Sequence, residues 1–144
     1  QVLELDDADL AAAMELLAAG RPRSPLLAWQ RSGRRVALTP AEVNAYVRAL
    51  TGGKFTAKDF RTLRGTILAA EALARIGTVD TKTDRKRAEV LAVKATAEGL
   101  GNTPAVARGS YIDPRVFTRY REGNLLDLSI TPESAIRGLL RPGR

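Results

Sequence analysis

Tyr111, Lys58 and Arg61 are the residues whose types and settings could do chemistry in this chain. Among 144 residues there is no cysteine and no histidine. Thiolate nucleophiles, Ser-His and Cys-His dyads and His or Cys metal sites are therefore excluded. Any reaction must be run by Tyr, Lys, Arg, Asp or Glu. Two of the three tyrosines have ordinary explanations. Tyr46 shares the i, i+3, i+4, i+7 stripe of a buried helical face with Val43, Val47 and Leu50, and Tyr120 follows Val116 and Phe117 at core spacing. Tyr111 has no such stripe, its neighbours being Gly109, Ser110 and Asp113. Its segment, Leu100 to Ile112, contains a turn at Gly101, Asn102 and Thr103 as candidate caps, and Pro104 at a first helical position. The short helix that follows is expected to stop at Gly109 and leave Tyr111 just outside it, before Asp113-Pro114 opens another. Spacing alone fits both a specially presented tyrosine and an ordinary half-buried one.

Lys58 and Arg61 lie at the start of a second helix, capped by Thr56. At 100° per residue, Phe60, Leu63, Ile67, Ala70 and Ala74 fall on one side and Lys58, Arg61, Thr62 and Gly65 on the other, with Arg64 between. Cations at a helix start oppose the dipole, so an external anion would relieve them; a solvated polar face is the alternative. Gly65 inside the helix costs about 1 kcal/mol against alanine and would let another backbone approach closely. A tyrosine oxygen can attack a phosphodiester and hold the strand end covalently. A tyrosine hydroxyl ionises near pH ~10, so positive charge must assist it. Arginine, always charged and able to grip two oxygens, suits the charge that develops on phosphorus.

Two blocks carry a family likeness. Leu100-Gly-Asn-Thr-Pro-Ala-Val-Ala-Arg-Gly-Ser-Tyr-Ile-Asp-Pro114 resembles the active-site tyrosine segment of bacterial, poxvirus-like type IB DNA topoisomerases, and Phe55-Thr-Ala-Lys-Asp-Phe-Arg-Thr-Leu-Arg-Gly-Thr-Ile-Leu-Ala-Ala70 resembles their Lys-Asp-x-Arg-Thr helix. A weaker likeness runs through Trp29 to Thr51. The resemblance implies that Tyr111 is the nucleophile that forms a 3′-phosphotyrosyl link and frees a 5′-hydroxyl. It implies that Arg61 contacts the scissile phosphate, that Lys58 supports it, and that Asn102 stands where viral relatives carry histidine. It also implies an earlier arginine and a hairpin lysine that protonates the leaving oxygen. Neither has a match here, so both are expected upstream. Neither ATP nor a divalent metal is implied, and no other cofactor. A tyrosine recombinase shares the chemistry, but its His-x-x-Arg box is replaced by Lys58-x-x-Arg61. A non-enzymatic DNA-binding module, with Tyr111 structural, is the reading from another class.

The elements that must position these residues follow from the rest of the chain. The expected fold is mainly α, the helical catalytic core of the type IB topoisomerase and tyrosine recombinase kind, with about six helices and a small β-hairpin. The 144 residues read as a single domain, the C-terminal part of a catalytic domain and a fragment of something longer, because Gln1 to Leu5 alternates like a cut strand. Asp6, Asp7 and Asp9 head an amphipathic helix ending near Gly20; they read as dipole-matched acids rather than a Mg²⁺ site. Residues 21–25 form a proline-held linker. Leu26 to Gln30 and Arg34 to Leu38 flank Arg31-Ser32-Gly33 as a hairpin carrying Trp29, read as a packing residue. Thr39-Pro40-Ala41-Glu42 is a capping box opening a helix to about Leu50. Asp84 is read as the cap of a helix starting Arg85-Lys86-Arg87, with apolar residues Ala88, Leu91, Ala92 and Ala95 on one face and Val90, Val93 and Ala97 on another, so that both faces are covered. Pro114 to Glu122 and a short helix from Thr131 complete the set, followed by a basic tail, Arg137 to Arg144.

Charge is unevenly spread. Residues 1–20 hold five of the 16 acidic groups and no basic one, leaving 23 basic against 11 acidic groups in the remainder, net +12. A basic body of this kind points to a polyanion, and double-stranded DNA is the expected partner. Candidate DNA contacts are Lys58, Arg64, Arg85, Lys86 and Arg108. At the start of the Arg85 helix a solvated basic tip fits equally well. No run approaches the roughly 18 apolar residues of a membrane span, so no membrane partner is expected. A monomer in the cytoplasm, associated with the nucleoid, completes the expectation.

Overall fold

The computed structural model describes residues 6–18 and 23–141. These fall into two compact units, 1–57 and 58–144. Among the described residues there are seven helices and one two-stranded antiparallel sheet, so the fold is mainly α, with one helix more than expected. None of these helices is long and apolar enough to cross a membrane. The strand-like Gln1 to Leu5, the helix end near Gly20, most of the linker's start and the last three residues of the tail lie outside the described residues.

In the first unit, α1 (Ala8–Ala18) opens where the Asp7 carboxylate accepts from the Leu10 amide at 2.9 Å. The acid acts as a cap, as its type requires. Strands β1 (Ala28–Arg31) and β2 (Arg34–Ala37) pair Trp29 with Val36 and Arg31 with Arg34. The turn is therefore two residues, not three: Ser32 and Gly33 both take positive φ, +50° and +75°, the geometry that matches strand twist. Helix α2 (Pro40–Thr51) has the full capping box, with Thr39 and Glu42 exchanging hydrogen bonds, and stops at left-handed Gly52. Asn44 of α2 accepts from the Ala57 amide at 3.0 Å, supplying a partner for an orphan donor at the next helix's start.

No described residue of this unit is buried. Two expectations are corrected here. Tyr46 and Leu50 are 66% and 69% exposed rather than inward, and Trp29 is 45% exposed rather than a packing residue. Periodicity shows that a helix face is apolar; it does not supply what would cover it.

The second unit holds the core. Helix α3 (Ala57–Ile76) buries Gly65, Thr66, Ile67, Ala69, Ala70 and Leu73, whereas Phe60 and Leu63 stay exposed. The buried arc is thus turned toward Gly65 and Thr66, because another segment's main chain lies there. Helix α4 (Lys82–Leu100) is capped by Thr81, not Asp84, so it begins three residues earlier than expected. It buries one side, Ala88, Glu89, Ala92, Val93, Thr96, Ala97 and Leu100, while Val90 and Leu91 are exposed. Gly101 (φ +64°) ends it: the Gly101 amide donates to Glu98 at 3.1 Å and the Asn102 amide to Ala97 at 2.8 Å, the paired bonds of a Schellman turn.

Helix α5 (Pro104–Ser110) is capped by Thr103 and runs through Gly109, which therefore is not its stop; Tyr111 is the residue that leaves the helix. Helix α6 (Arg115–Arg121) turns Val116, Phe117 and Tyr120 inward as its spacing requires. Helix α7 (Pro132–Leu140) takes in Arg137, the start of the expected tail, and adds Ala135 and Ile136 to the core.

The Tyr120 hydroxyl donates to the Gly77 carbonyl at 2.8 Å, tying α6 to the turn that ends α3. Burial first, and the nearby Glu89 charge second, raise its ionisation above that of a free tyrosine. A raised native value means stability that is present in full below the unfolded value, about pH 10, and lost as pH rises through the native one. Tyr120→Phe should cost about 1 kcal/mol at neutral pH and remove this tyrosine's share of the alkaline decline. Urea midpoints measured from pH 7 upward check both.

Candidate active site and basic cleft

Tyr111 is placed by main-chain contacts. Its amide donates to the Ala107 carbonyl at 3.0 Å, closing the last turn of α5. Its own carbonyl lies against Gly65 of α3, so close that a Cβ there would collide with it. Two residues on, the Asp113 amide donates to the Thr66 hydroxyl at 3.1 Å, and that hydroxyl donates to the Thr62 carbonyl at 2.7 Å. Ile112, between these anchors, is buried. The glycine that the sequence marks as a place for close backbone approach has that use.

Arg61 sits one turn before Gly65 on α3. Its guanidinium lies over the Tyr111 ring, 5.0 Å from the centroid, within the range of a cation–π contact. Its Nη2 donates to the carbonyl of Leu100, and Asn102 Nδ2 donates to the same carbonyl at 3.5 Å. Leu100 is the last residue of α4, so its carbonyl is one of the orphan acceptors at the negative end of a helix. Arg61, Asn102 and Tyr111 are thereby gathered at the end of α4. Lys58 and Arg64 lie exposed on α3, one turn before and one turn after Arg61.

Arg85, Lys86 and Arg108 are not part of this group. With Lys82 and Arg121 they line an open cleft of about 640 Å³ around Glu89. Arg85 is near the start of α4 and Leu100 at its end, a separation of about 22 Å along the helix at 1.5 Å per residue. Glu89 is 4% exposed. Arg121 holds its carboxylate with two bonds of 2.7 and 2.8 Å, and Arg108 approaches it at 3.7 Å while lying 4.9 Å from the centre of the Phe117 ring. Lys82, Arg85 and Lys86 make no salt bridge among the described residues. Arg87, the third cation of the run, pairs with Asp84 at 3.3 Å.

Glu89 and Thr66 are missed by the sequence reading, although a signal for Glu89 exists. It stands on the stripe 89, 92, 93, 96, 97, 100, the stripe of α4 that is buried. Thr66 has a weaker sign, a hydroxyl within an apolar run. At the α5–α6 junction Asp113 grips Arg115, whose nearby guanidinium holds the Asp113 carboxyl below the usual range.

The mainly helical unit, with a tyrosine lying under an arginine of a neighbouring helix, now meets an independent finding. Residues 5–123 match the family model described as the eukaryotic DNA topoisomerase I catalytic core, which defines the class: type I topoisomerases, isomerases with DNA as substrate. The chain belongs to this topoisomerase I family. A comparison with curated proteins returned no match.

Glu89 joins α4, α5 and α6 by charge. Glu89→Ala should lower stability by about 1–3 kcal/mol, the scale for groups left without a buried partner, because Arg108 and Arg121 would lose their shared acceptor. Urea denaturation measures it.

Proposed function

We propose that this chain is the C-terminal part of the catalytic domain of a bacterial, poxvirus-like type IB topoisomerase, which relaxes supercoiled duplex DNA through a covalent tyrosine intermediate. The observation that carries the reading is the Arg61 guanidinium held over the Tyr111 ring. In the step proposed, the Tyr111 oxygen attacks the scissile phosphorus. The Tyr–O–P bond forms, the P–O5′ bond breaks, and the tyrosine proton is lost to solvent. The 5′ oxygen leaves as a hydroxyl, with its proton from the upstream lysine. The strand rotates and the reverse attack reseals it. The phosphotyrosyl bond conserves the energy of the broken one, so no nucleotide hydrolysis is needed.

Arg61 meets the non-bridging oxygens as charge builds on them. Asn102 donates to the same phosphate without carrying charge, and Lys58 adds a supporting contact from the preceding turn. The cleft cations Arg85, Lys86 and Arg108, with Arg64 on α3, bind flanking backbone phosphates. The protein acts as a monomer in the cytoplasm, on nucleoid DNA.

In the full-length protein, Tyr111→Phe should leave folding and DNA binding near normal and abolish cleavage of a suicide substrate, since it removes one hydroxyl and no volume. Arg61→Ala should slow cleavage by about 10²-fold or more. Relaxation at the wild-type rate by Tyr111→Phe would falsify the nucleophile assignment, whereas no adduct from the unaltered full-length protein would leave the DNA-binding module as the reading. The 144-residue chain by itself should form little or no adduct, because a missing general acid alone costs about 10²–10⁴-fold. Adduct formation equal to that of a longer chain would show that no upstream residue is needed.

Replacing both Arg85 and Lys86 by glutamine should weaken duplex binding for all sequences alike. It should also flatten the plot of log affinity against log salt by about 2, the contribution of two phosphate contacts. A slope unchanged by the double substitution would show that the cleft does not meet the duplex.

A further inference from the structure

We infer that Thr66 is a positioning residue for Tyr111: its buried hydroxyl, together with the bare backbone of Gly65, sets where the tyrosine's main chain sits and so where its oxygen is delivered. The inference rests on Tyr111 being the nucleophile, and it adds a residue to which neither the family match nor the sequence motifs give a role.

The geometry is that of a two-point dock. Residues 65 and 66 are consecutive on α3, and they meet the chain on either side of Ile112: Gly65 receives the Tyr111 carbonyl, and the Thr66 hydroxyl receives the Asp113 amide at 3.1 Å. The hydroxyl has one proton, which it gives to the Thr62 carbonyl at 2.7 Å, so its lone pairs are left facing the Asp113 amide. Both halves of its hydrogen-bonding capacity are thus used, one to fix its own orientation and one to hold the turn. Thr66 is 3% exposed, so water does not substitute for it.

Tyr111 needs such a dock because little else holds it. It is the residue at which α5 stops, with φ −131° and ψ 0°, and its side chain is only half-buried. Among the described residues its ring has Arg61 as cation–π partner, a residue that on the proposed function must also attend to the phosphate. Position must therefore come from the main chain, and α3 supplies it from the same turns that carry Arg61. The nucleophile and the arginine that stabilises the phosphate charge are in this way referred to a single rigid element. A shift of about 1 Å in a reacting group costs about 10²-fold in rate.

The test uses the full-length protein and single-turnover adduct formation on a suicide duplex at saturating concentration. Thr66→Val keeps the shape and removes the acceptor. It should slow adduct formation by about 10²-fold with the Kd for duplex unchanged, and the Asp113 amide should exchange with deuterium faster. Thr66→Ser keeps the hydroxyl and should restore both the rate and the protection. Thr66→Ala is the second variant, deleting the hydroxyl without introducing a new methyl should the valine impair folding. A wild-type rate in either folded variant, with the Asp113 amide deprotected, would overturn the inference. Tyr111→Phe run in parallel separates the two ideas. If it still forms adduct, the nucleophile assignment falls; if it is inert while Thr66→Val is unimpaired, only the positioning role falls.

Discussion

The second unit depends on one close approach: the carbonyl of Tyr111 against the backbone of Gly65. A helix normally keeps other main chains at the distance of its side chains, 8–10 Å between axes in the usual case. Removing the side chain at one position lets a foreign backbone reach α3 itself. The departure of the chain from α5, the seating of Ile112 in the core and the start of α6 are all referred to that point. Several other core positions are small as well, with Ala69, Ala70, Ala88, Ala92 and Ala107 all buried. At Gly65 itself the contact is backbone against backbone, which is why a single Cβ there matters so much.

Charge in this unit is sorted by helix geometry. The row Lys58, Arg61, Arg64 climbs α3 at three-residue spacing, while a second group gathers round the start of α4. What keeps the second group from simply repelling itself is Glu89, a buried acid that ties α6 and α5 to α4 through two arginines. Lys82, Arg85 and Lys86 at its rim make no salt bridge among the described residues. One helix, α4, therefore carries a cation-lined cleft at one end and at the other presents to the tyrosine site a carbonyl shared by Arg61 and Asn102.

What could be read from the sequence was whatever local chemistry determines. The Thr39–Glu42 capping box, the prolines at first helical positions, the Gly101 turn and the inward set Val116, Phe117, Tyr120 depend on contacts within a few residues, and all are present. The use of Gly65 was legible for the same reason, since a mid-helix glycine has a cost that something must offset. What was not legible is whatever depends on a partner far along the chain. The Tyr46 stripe is apolar but uncovered, and Val90 and Leu91 point away from the core. Glu89 is buried only because two arginines from other helices meet it. The pairing of Arg61 with Tyr111 spans fifty positions; the motifs named both residues, but only the fold shows that they touch.

The Leu100 carbonyl has a further consequence, one of selectivity. It accepts from both Arg61 and Asn102, so one nitrogen of the Arg61 guanidinium is already engaged while the side chain stays exposed. An anion that binds there meets an arginine already oriented by this acceptor at the negative end of α4, through the donors that remain. A chloride or other small monovalent ion offers one diffuse contact and gains little. A phosphodiester offers two geometrically matched oxygens to the planar fork, and in the proposed function its backbone would be anchored elsewhere on the protein at the same time. On the proposed function the helix end would work as a filter, favouring over the simple ions of the medium an anion that arrives already held in place.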